Sequence, residues 1–342
     1  MTLTQSLSHP TTLAPPRLRP RLGFLGVGWI GLNRMQAMLA TGAVEAVAIA
    51  DASPAMLDAA AASAPDAARV ESAEKLFDLD LDGVVIATPN ALHADQAIAA
   101  LDRGLAVFCQ KPLARTASET RRVVDAARGA DRLLGVDFSY RFTDGMRRIR
   151  EMVRAGELGK VFAADLRFHN AYGPDKAWFY DAALSGGGCV MDLGVHLADL
   201  ALWVLDFPSI GSVASSLIGG GERLGAGAIE DFAVSTLELE TGAVVRLACS
   251  WRLQAGCDAD IGATFHGTEG GAAWRNVEGS FYDFAAERFV GRQSTSISAP
   301  PDDWSGRAAA DWARRLAAGE RFDTAADRFV DVAAALDRIL GR

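Results

Sequence analysis

The 342-residue chain has only four cysteines, five histidines and four tyrosines. Cys109, Cys189, Cys249 and Cys257 stand far apart or inside apolar segments, with no C-x-x-C spacing. That excludes the usual zinc-ribbon and dithiol redox motifs and fits a reducing, cytoplasmic setting. No run of 18 apolar residues is present, which argues against a membrane-spanning helix. The opening "MTLTQSLSHPTTLAPPRLRP" lacks the charged start and apolar centre of a signal peptide, so residues 1–20 read as a flexible arm. An excess of cations is missing too. Lys and Arg total 34 against 43 Asp and Glu, a net charge of -9, whereas nucleic-acid binders gather Lys and Arg on one face. Small, uncharged substrates suit this balance better than nucleic acid or a membrane.

The chain is half hydrophobic and longer than one core usually organises, which predicts two domains. From Arg21 short apolar strands ("RLGFLGV", "VEAVAIAD", "LDGVVIATPN", "LAVFCQKP", "RLLGVDFSYRF") alternate with helical patterns. That order predicts a parallel α/β sheet over residues 21–140, its strands apolar throughout because both faces are covered. After residue 140 the texture changes. Period-2 runs such as "FAVSTLELE" and "AVVRLACSWRLQA", with a hairpin turn at Thr241–Gly242, predict an α+β domain over 141–342 with a large, mostly antiparallel open sheet. A closing helix carries the stripe Phe329, Val332, Leu336, Ile339 and Leu340, which needs a surface to pack on.

Between the first strand and the first helix lies "GVGWIG", residues 26–31. A lone G-x-G-x-x-G is weak evidence, but a strand before it and a helix after it give each glycine a task. Gly26 makes the tight turn, Gly28 lets a pyrophosphate approach the backbone, and Gly31 lets the helix pack on the strand. Val27, Trp29 and Ile30 complete the turn, and the helix N-terminus faces the phosphates. Asp51 ends the second strand, placed to accept hydrogen bonds from an adenosine ribose, and neither Ala52 nor Ser53 supplies a cation for a 2′-phosphate. The cofactor expected is therefore NAD rather than NADP.

Two polar groupings sit in apolar surroundings. In "FCQKP" Lys111 follows a strand at the carboxyl edge of the parallel sheet, where ligands of such sheets bind. By itself it reads first as a solvated loop lysine; beside a nicotinamide it becomes a proton-transfer group. In "GGGCVMDLGVHLADL" the spacing of Asp192, His196 and Asp199 puts all three on one face of an apolar helix. A core histidine with a structural partner and a metal site are both open readings, although no further His or Cys cluster stands ready as ligands. On chemistry alone the strongest reading is an Asp that orients a His acting as acid or base.

Together these residues resemble the glucose-fructose oxidoreductase / inositol dehydrogenase / MocA family. The likeness rests on "GVGWIG", "ATPNALHADQA", "QKP" and "GGGCVMDLGVHLAD", and runs from Arg21 through nearly the whole chain. It implies a Rossmann domain followed by an α+β domain whose open sheet makes a homodimer or homotetramer. Lys111, Asp192 and His196 become the catalytic set, and Thr88, Asn90, His93 and Gln110 lie along the cofactor. Gln110 stands where the family usually has Glu, and Phe179 follows Trp178 where relatives often have Arg. Tyr140, Tyr172 and Trp178 are substrate-side candidates with Lys111, Asp192 and His196, and Arg141, Trp251, Arg252, Trp274 and Arg275 are further shaping residues. The implied reaction is hydride transfer between NAD and a secondary hydroxyl or ketone of a sugar or cyclitol. An NAD-recycling glycosidase of the same fold is the alternative, and a reductase of keto sugars a further one.

Overall fold

The computed structural model describes residues 19–225 and 227–342; the expected arm lies outside the described residues as far as residue 18. The chain then forms β1 (Arg21–Leu25), α1 (Trp29–Ala40), β2 (Glu45–Ala50), α2 (Pro54–Ser63), β3 (Ala68–Arg69), α3 (Ala73–Phe77), β4 (Gly83–Ile86), α4 (Asn90–Asp102), β5 (Ala106–Cys109), α5 (Ala117–Ala130) and β6 (Leu134–Val136). The six strands make one sheet in the order β3-β2-β1-β4-β5-β6, with every pairing parallel. β4 and β5 are buried along their whole length, as strands covered by helices on both faces must be. The short β3 and α3 escape sequence reading, since a two-residue strand shows no period. The order reverses between β1 and β4, which opens a crevice at the carboxyl ends of those strands.

The turn after β1 is possible only with glycine. Gly26 has φ +82°, and a Cβ on Gly31 would lie 2.1 Å from the Gly26 carbonyl oxygen. No side chain fits between this helix and this strand.

The second region comprises α6 (Asp144–Arg154), β7 (Val161–Asn170), α7 (Ala182–Ser185), a π-helical turn (Val190–Gly194), α8 (Val195–Val204), β8 (Ile210–Gly219), β9 (Glu222–Arg223), β10 (Phe232–Leu239), β11 (Val244–Ser250), β12 (Ala259–Gly267), β13 (Gly271–Asn276), β14 (Phe284–Val290), β15 (Gln293–Ser298), α9 (Arg307–Ala317) and α10 (Asp327–Ile339). Its nine-stranded sheet runs β15-β14-β13-β12-β7-β11-β10-β8-β9 and is antiparallel except where β7 meets β11. Helices α6 and α8 cover one face. The helical run Ala182–Val204 has the length and hydropathy of a membrane span, but 94% of its apolar window is buried within the fold, where it is a core helix.

The outer face of this sheet carries charged pairs. Arg246 pairs with Asp165, His266 Nε2 lies 3.4 Å from Asp165, Arg167 pairs with Asp260 at 2.7 Å, and Arg275 pairs with Glu287. Alternation puts these charges outward because Leu166, Phe168, Val245 and Leu247 take the inward positions.

The last two helices return to the first domain. α10 lays Val332, Leu336 and Ile339 against α5 and α8, burying most of the stripe seen in the sequence. α9 packs Ala309, Ala313 and Trp312 onto the core built from Leu22, Phe24 and Phe108. The Trp312 ring is 5.7 Å from that of Phe108. Residues more than 160 positions past β6 thus complete the first core. Trp312→Ala is accordingly expected to destabilise the protein by about 3–5 kcal/mol. Urea denaturation of the variant measures this, and a loss below about 1 kcal/mol would make α9 a peripheral addition.

Candidate active site

The crevice at the reversal point widens into a cavity of about 630 Å³. One end is the first two turns of α1, with Trp29, Ile30, Asn33 and Arg34. The other holds Lys111, Asp192, His196 and Tyr140. Tyr172 and Trp178 also line it, from the segment that follows β7. Arg141, Trp251, Arg252, Trp274 and Arg275 do not line it.

Asp51 braces the glycine turn: its Oδ2 accepts from the Val27 amide at 2.7 Å and its Oδ1 from the Ser53 amide at 2.8 Å. Each carboxylate oxygen keeps a lone pair for a ribose hydroxyl. Thr88 Oγ1 donates to Gln96 Oε1, and Asn90 Nδ2 to the carbonyl of Ser185. His93 is wholly buried, with its ring nitrogens 2.7 Å and 2.8 Å from the Thr88 and Pro112 carbonyls. It therefore ties the loop after β4 to the turn that carries Lys111.

Gln110 Nε2 donates to Asp137 Oδ2 at 2.6 Å, and Arg34 Nε donates to the same oxygen at 2.5 Å. This buried trio forms a wall of the cavity, and sequence reading missed Arg34 and Asp137. An arginine on a mostly apolar helix and an aspartate ending a strand carry no signal until folding brings them together.

Lys111 and Asp192 meet across the domains. Lys111 Nζ donates to Asp192 Oδ1 at 2.9 Å and to the Asp192 carbonyl at 2.7 Å, while Trp251 Nε1 donates to Asp192 Oδ2 at 3.0 Å. Both carboxylate oxygens are engaged, so Asp192 positions the lysine and not, as expected, the imidazole. His196 instead packs edge-on against Tyr140, ring centroids 4.8 Å apart. Burial pushes its pKa well below the ordinary 6.5, and the nearby Lys111 and Arg34 cations add to this. The imidazole is therefore neutral at pH 7.

Of the three residues assigned to a common helix face, Asp192 and His196 line the cavity together and Asp199 does not. Asp192 lies in the π-helical turn, whose wider coil rotates it relative to residues in α8. Asp199 is 1% exposed and forked against Arg141, with Arg141 Nε 2.8 Å from Oδ2. A buried carboxylate already paired with a guanidinium is spoken for structurally. Tyr180 is also diverted, donating its hydroxyl proton to the Pro174 carbonyl at 2.9 Å.

The π turn is held by a residue the sequence did not reveal. Glu230, fully buried, accepts from the Gly188 amide at 3.0 Å and from the Val190 amide at 2.8 Å. A Cβ on Gly188 would fall 1.9 Å from the Glu230 carbonyl oxygen, so this approach requires glycine. Among the described residues no group of three His, Cys, Asp or Glu side chains gathers to hold a metal.

A dinucleotide crevice joined to a Lys, Asp and His cluster defines a nicotinamide-dependent oxidoreductase architecture, and comparison with known proteins agrees. The oxidoreductase family with an NAD-binding Rossmann fold matches residues 20–138, and the GFO/IDH/MocA C-terminal domain matches residues 146–273. The chain belongs to this family. It is 34% identical over 211 residues to 1,5-anhydro-D-fructose reductase of Ensifer adhaerens, covering 61% of each chain. Over 203 residues it is 32% identical to D-glucoside 3-dehydrogenase of Escherichia coli (strain K12), covering 56% of this chain and 58% of that one. The matched part thus spans about three-fifths of these relatives. Levoglucosan dehydrogenase in complex with NADH shares the fold, with a TM-score of 0.82 at 21% identity over 94% of this chain and 96% of that one.

If Asp199 is structural, removing it strands the Arg141 charge. Asp199→Ala is expected to cost about 3–5 kcal/mol of stability while NADH affinity of the folded protein stays unchanged. Thermal melting with and without NADH, beside a fluorescence titration, separates the two effects; wild-type stability would show that the pair with Arg141 is not structural.

Proposed function

We propose that the protein transfers hydride between NAD and a secondary hydroxyl, or the corresponding ketone, of a sugar, sugar derivative or cyclitol. The observation that carries this reading is the convergence of Lys111, Asp192 and neutral His196 on a cavity that begins at the NAD-binding glycine turn. The printed activities of the Ensifer and Escherichia relatives, both acting on sugar-type compounds, support the substrate class.

NAD, when bound, accepts or returns the hydride. The Lys111 ammonium has three N–H donors, of which two go to the Asp192 carbonyl and carboxylate. The third is free for the substrate oxygen, where it stabilises the negative charge that grows as the hydroxyl loses its proton. His196, neutral and at the cavity wall, accepts that proton in oxidation and returns it in reduction. Asp192 and Trp251 keep the lysine aimed.

The NAD-recycling glycosidase needs an additional acid for the leaving group. Asp199 is paired with Arg141 and Tyr180 donates to the Pro174 carbonyl, so neither is free for that part, while Tyr172 lines the cavity. This favours net oxidation or reduction. Self-association of the outer sheet face into a homodimer or homotetramer completes the proposal; with its ion pairs, that interface is polar, and light scattering reads its stoichiometry.

Cofactor choice follows from Asp51. NAD is expected to bind at least about tenfold more tightly than NADP, roughly 1.4 kcal/mol, and Asp51→Asn to narrow the gap. Equal titration curves for the two cofactors on the wild-type protein would sink this expectation.

Lys111→Met and His196→Asn are each expected to lower kcat by about 100- to 10,000-fold with NADH affinity nearly intact. Because the His196 pKa lies below 6.5, the acid limb of kcat/KM for oxidation should fall below that pH. An acid limb centred at or above 6.5 would contradict the assignment of His196 as base. The reaction type is read by following NADH and phenol together on free sugars and on aryl glycosides with excess NAD. Accumulating NADH supports the dehydrogenase; phenol released over many turnovers without NADH replaces it with the glycosidase.

A further inference from the structure

The charges around the cavity sort themselves by partner. Arg34 is neutralised by Asp137 and Lys111 by Asp192. Lys176 is different. It lines the same cavity, and among the described residues no carboxylate lies within ion-pair distance of it, its neighbour Asp175 included. Its Nζ stands 3.8 Å from the point where a side chain on Gly28 would begin, and among the described residues, chain neighbours aside, nothing else approaches that point as closely. An exposed ammonium without an ion-pair partner among the described residues thus stands beside the glycine turn.

The two sides of this gap come from different domains. Gly28 caps the 12-residue α1 without a side-chain hydrogen bond, leaving the amides of the first turn open to a ligand. Lys176 is in the segment between β7 and α7, and just beyond it Trp178 and Phe179 stack with ring centroids 3.8 Å apart. Neither ring carries a charge, so Lys176 is the cation this segment presents to the turn.

We propose that Lys176 is a cofactor-binding residue that closes on the diphosphate of the dinucleotide from the second domain, opposite the N-terminus of α1. The proposal rests on the NAD-binding reading of the glycine turn. A dianionic diphosphate between helix amides and an ammonium receives charge-assisted hydrogen bonds from both sides. Bound cofactor then links the Rossmann domain to the segment that also carries Tyr172 and Trp178, so uptake of the dinucleotide and shaping of the substrate end are coupled.

The test is equilibrium binding and needs no turnover. NADH is titrated by fluorescence into wild-type protein, Lys176→Met and Lys176→Arg at low and high salt, and adenosine, which lacks phosphate, is titrated by calorimetry. Lys176→Met is expected to weaken NADH about tenfold and to flatten the salt dependence of its Kd, because an attraction that salt screens has been removed. Lys176→Arg, still cationic, is expected to stay within about threefold of wild type. Adenosine affinity should be the same in all three proteins.

Unchanged NADH affinity and salt dependence in Lys176→Met would overturn the proposal and leave NAD binding standing. A parallel loss of adenosine binding would overturn it by showing that the substitution disturbs the fold of the site. Wild-type protein that takes up no NADH would overturn the cofactor reading itself, and the proposal with it.

Discussion

The ion pair between Lys111 and Asp192 is the contact on which the site depends. Each partner comes from a different sheet system: the lysine from the carboxyl edge of the parallel sheet, the aspartate from a π turn packed on the antiparallel one. Neither charge is strongly solvated, with side chains 20% and 16% exposed, so separating the domains would leave both poorly compensated. The pair therefore sets the spacing of the crevice as well as the aim of the lysine. What is left of Lys111's donor capacity points the site toward an oxygen of the ligand.

A chain of less visible constraints supports that pair. Glu230 binds the amides that open the π turn, and the absence of a side chain at Gly188 lets it do so. Burial raises the pKa of the Glu230 carboxyl, while hydrogen bonds from the Val190 and Gly188 amides oppose the rise. On the opposite side His93 pins the Pro112 carbonyl to the loop after β4. Neither Glu230 nor His93 carries out chemistry in this arrangement. They hold two irregular segments so that the reacting groups meet, in keeping with the occurrence of π turns at functional sites.

The domain organisation follows the same logic of long-range completion. The parallel sheet needs both faces covered, and part of the cover comes from α9 at the far end of the chain, while α10 packs on α5. Their return joins the two regions, and Trp304 and Ser305, just before α9, line the cavity. Lys111 with Asp192 joins them at the floor, and Lys176 over Gly28 approaches at the phosphate end.

Much was legible before folding because it depends on local or periodic constraints. Buried parallel strands must be apolar runs, a phosphate turn between strand and helix must be glycine-rich, and a strand facing a core on one side must alternate. These rules located the Rossmann half, the Thr241–Gly242 hairpin, the glycine turn and the polar residues Lys111, Asp192 and His196. The roles of those residues depended on three-dimensional contacts that no spacing encodes. A π turn breaks the α-helical register, so Asp192 turned to Lys111 and Trp251 while Asp199 went to Arg141. Arg34, Asp137, Glu230 and Lys176 gave no motif, since each gains its meaning from a partner or a gap supplied by distant sequence. Pattern determines which face a residue takes; only the tertiary fold decides what it meets there, because hydrogen bonds and charges act over a few ångströms whatever the separation along the chain.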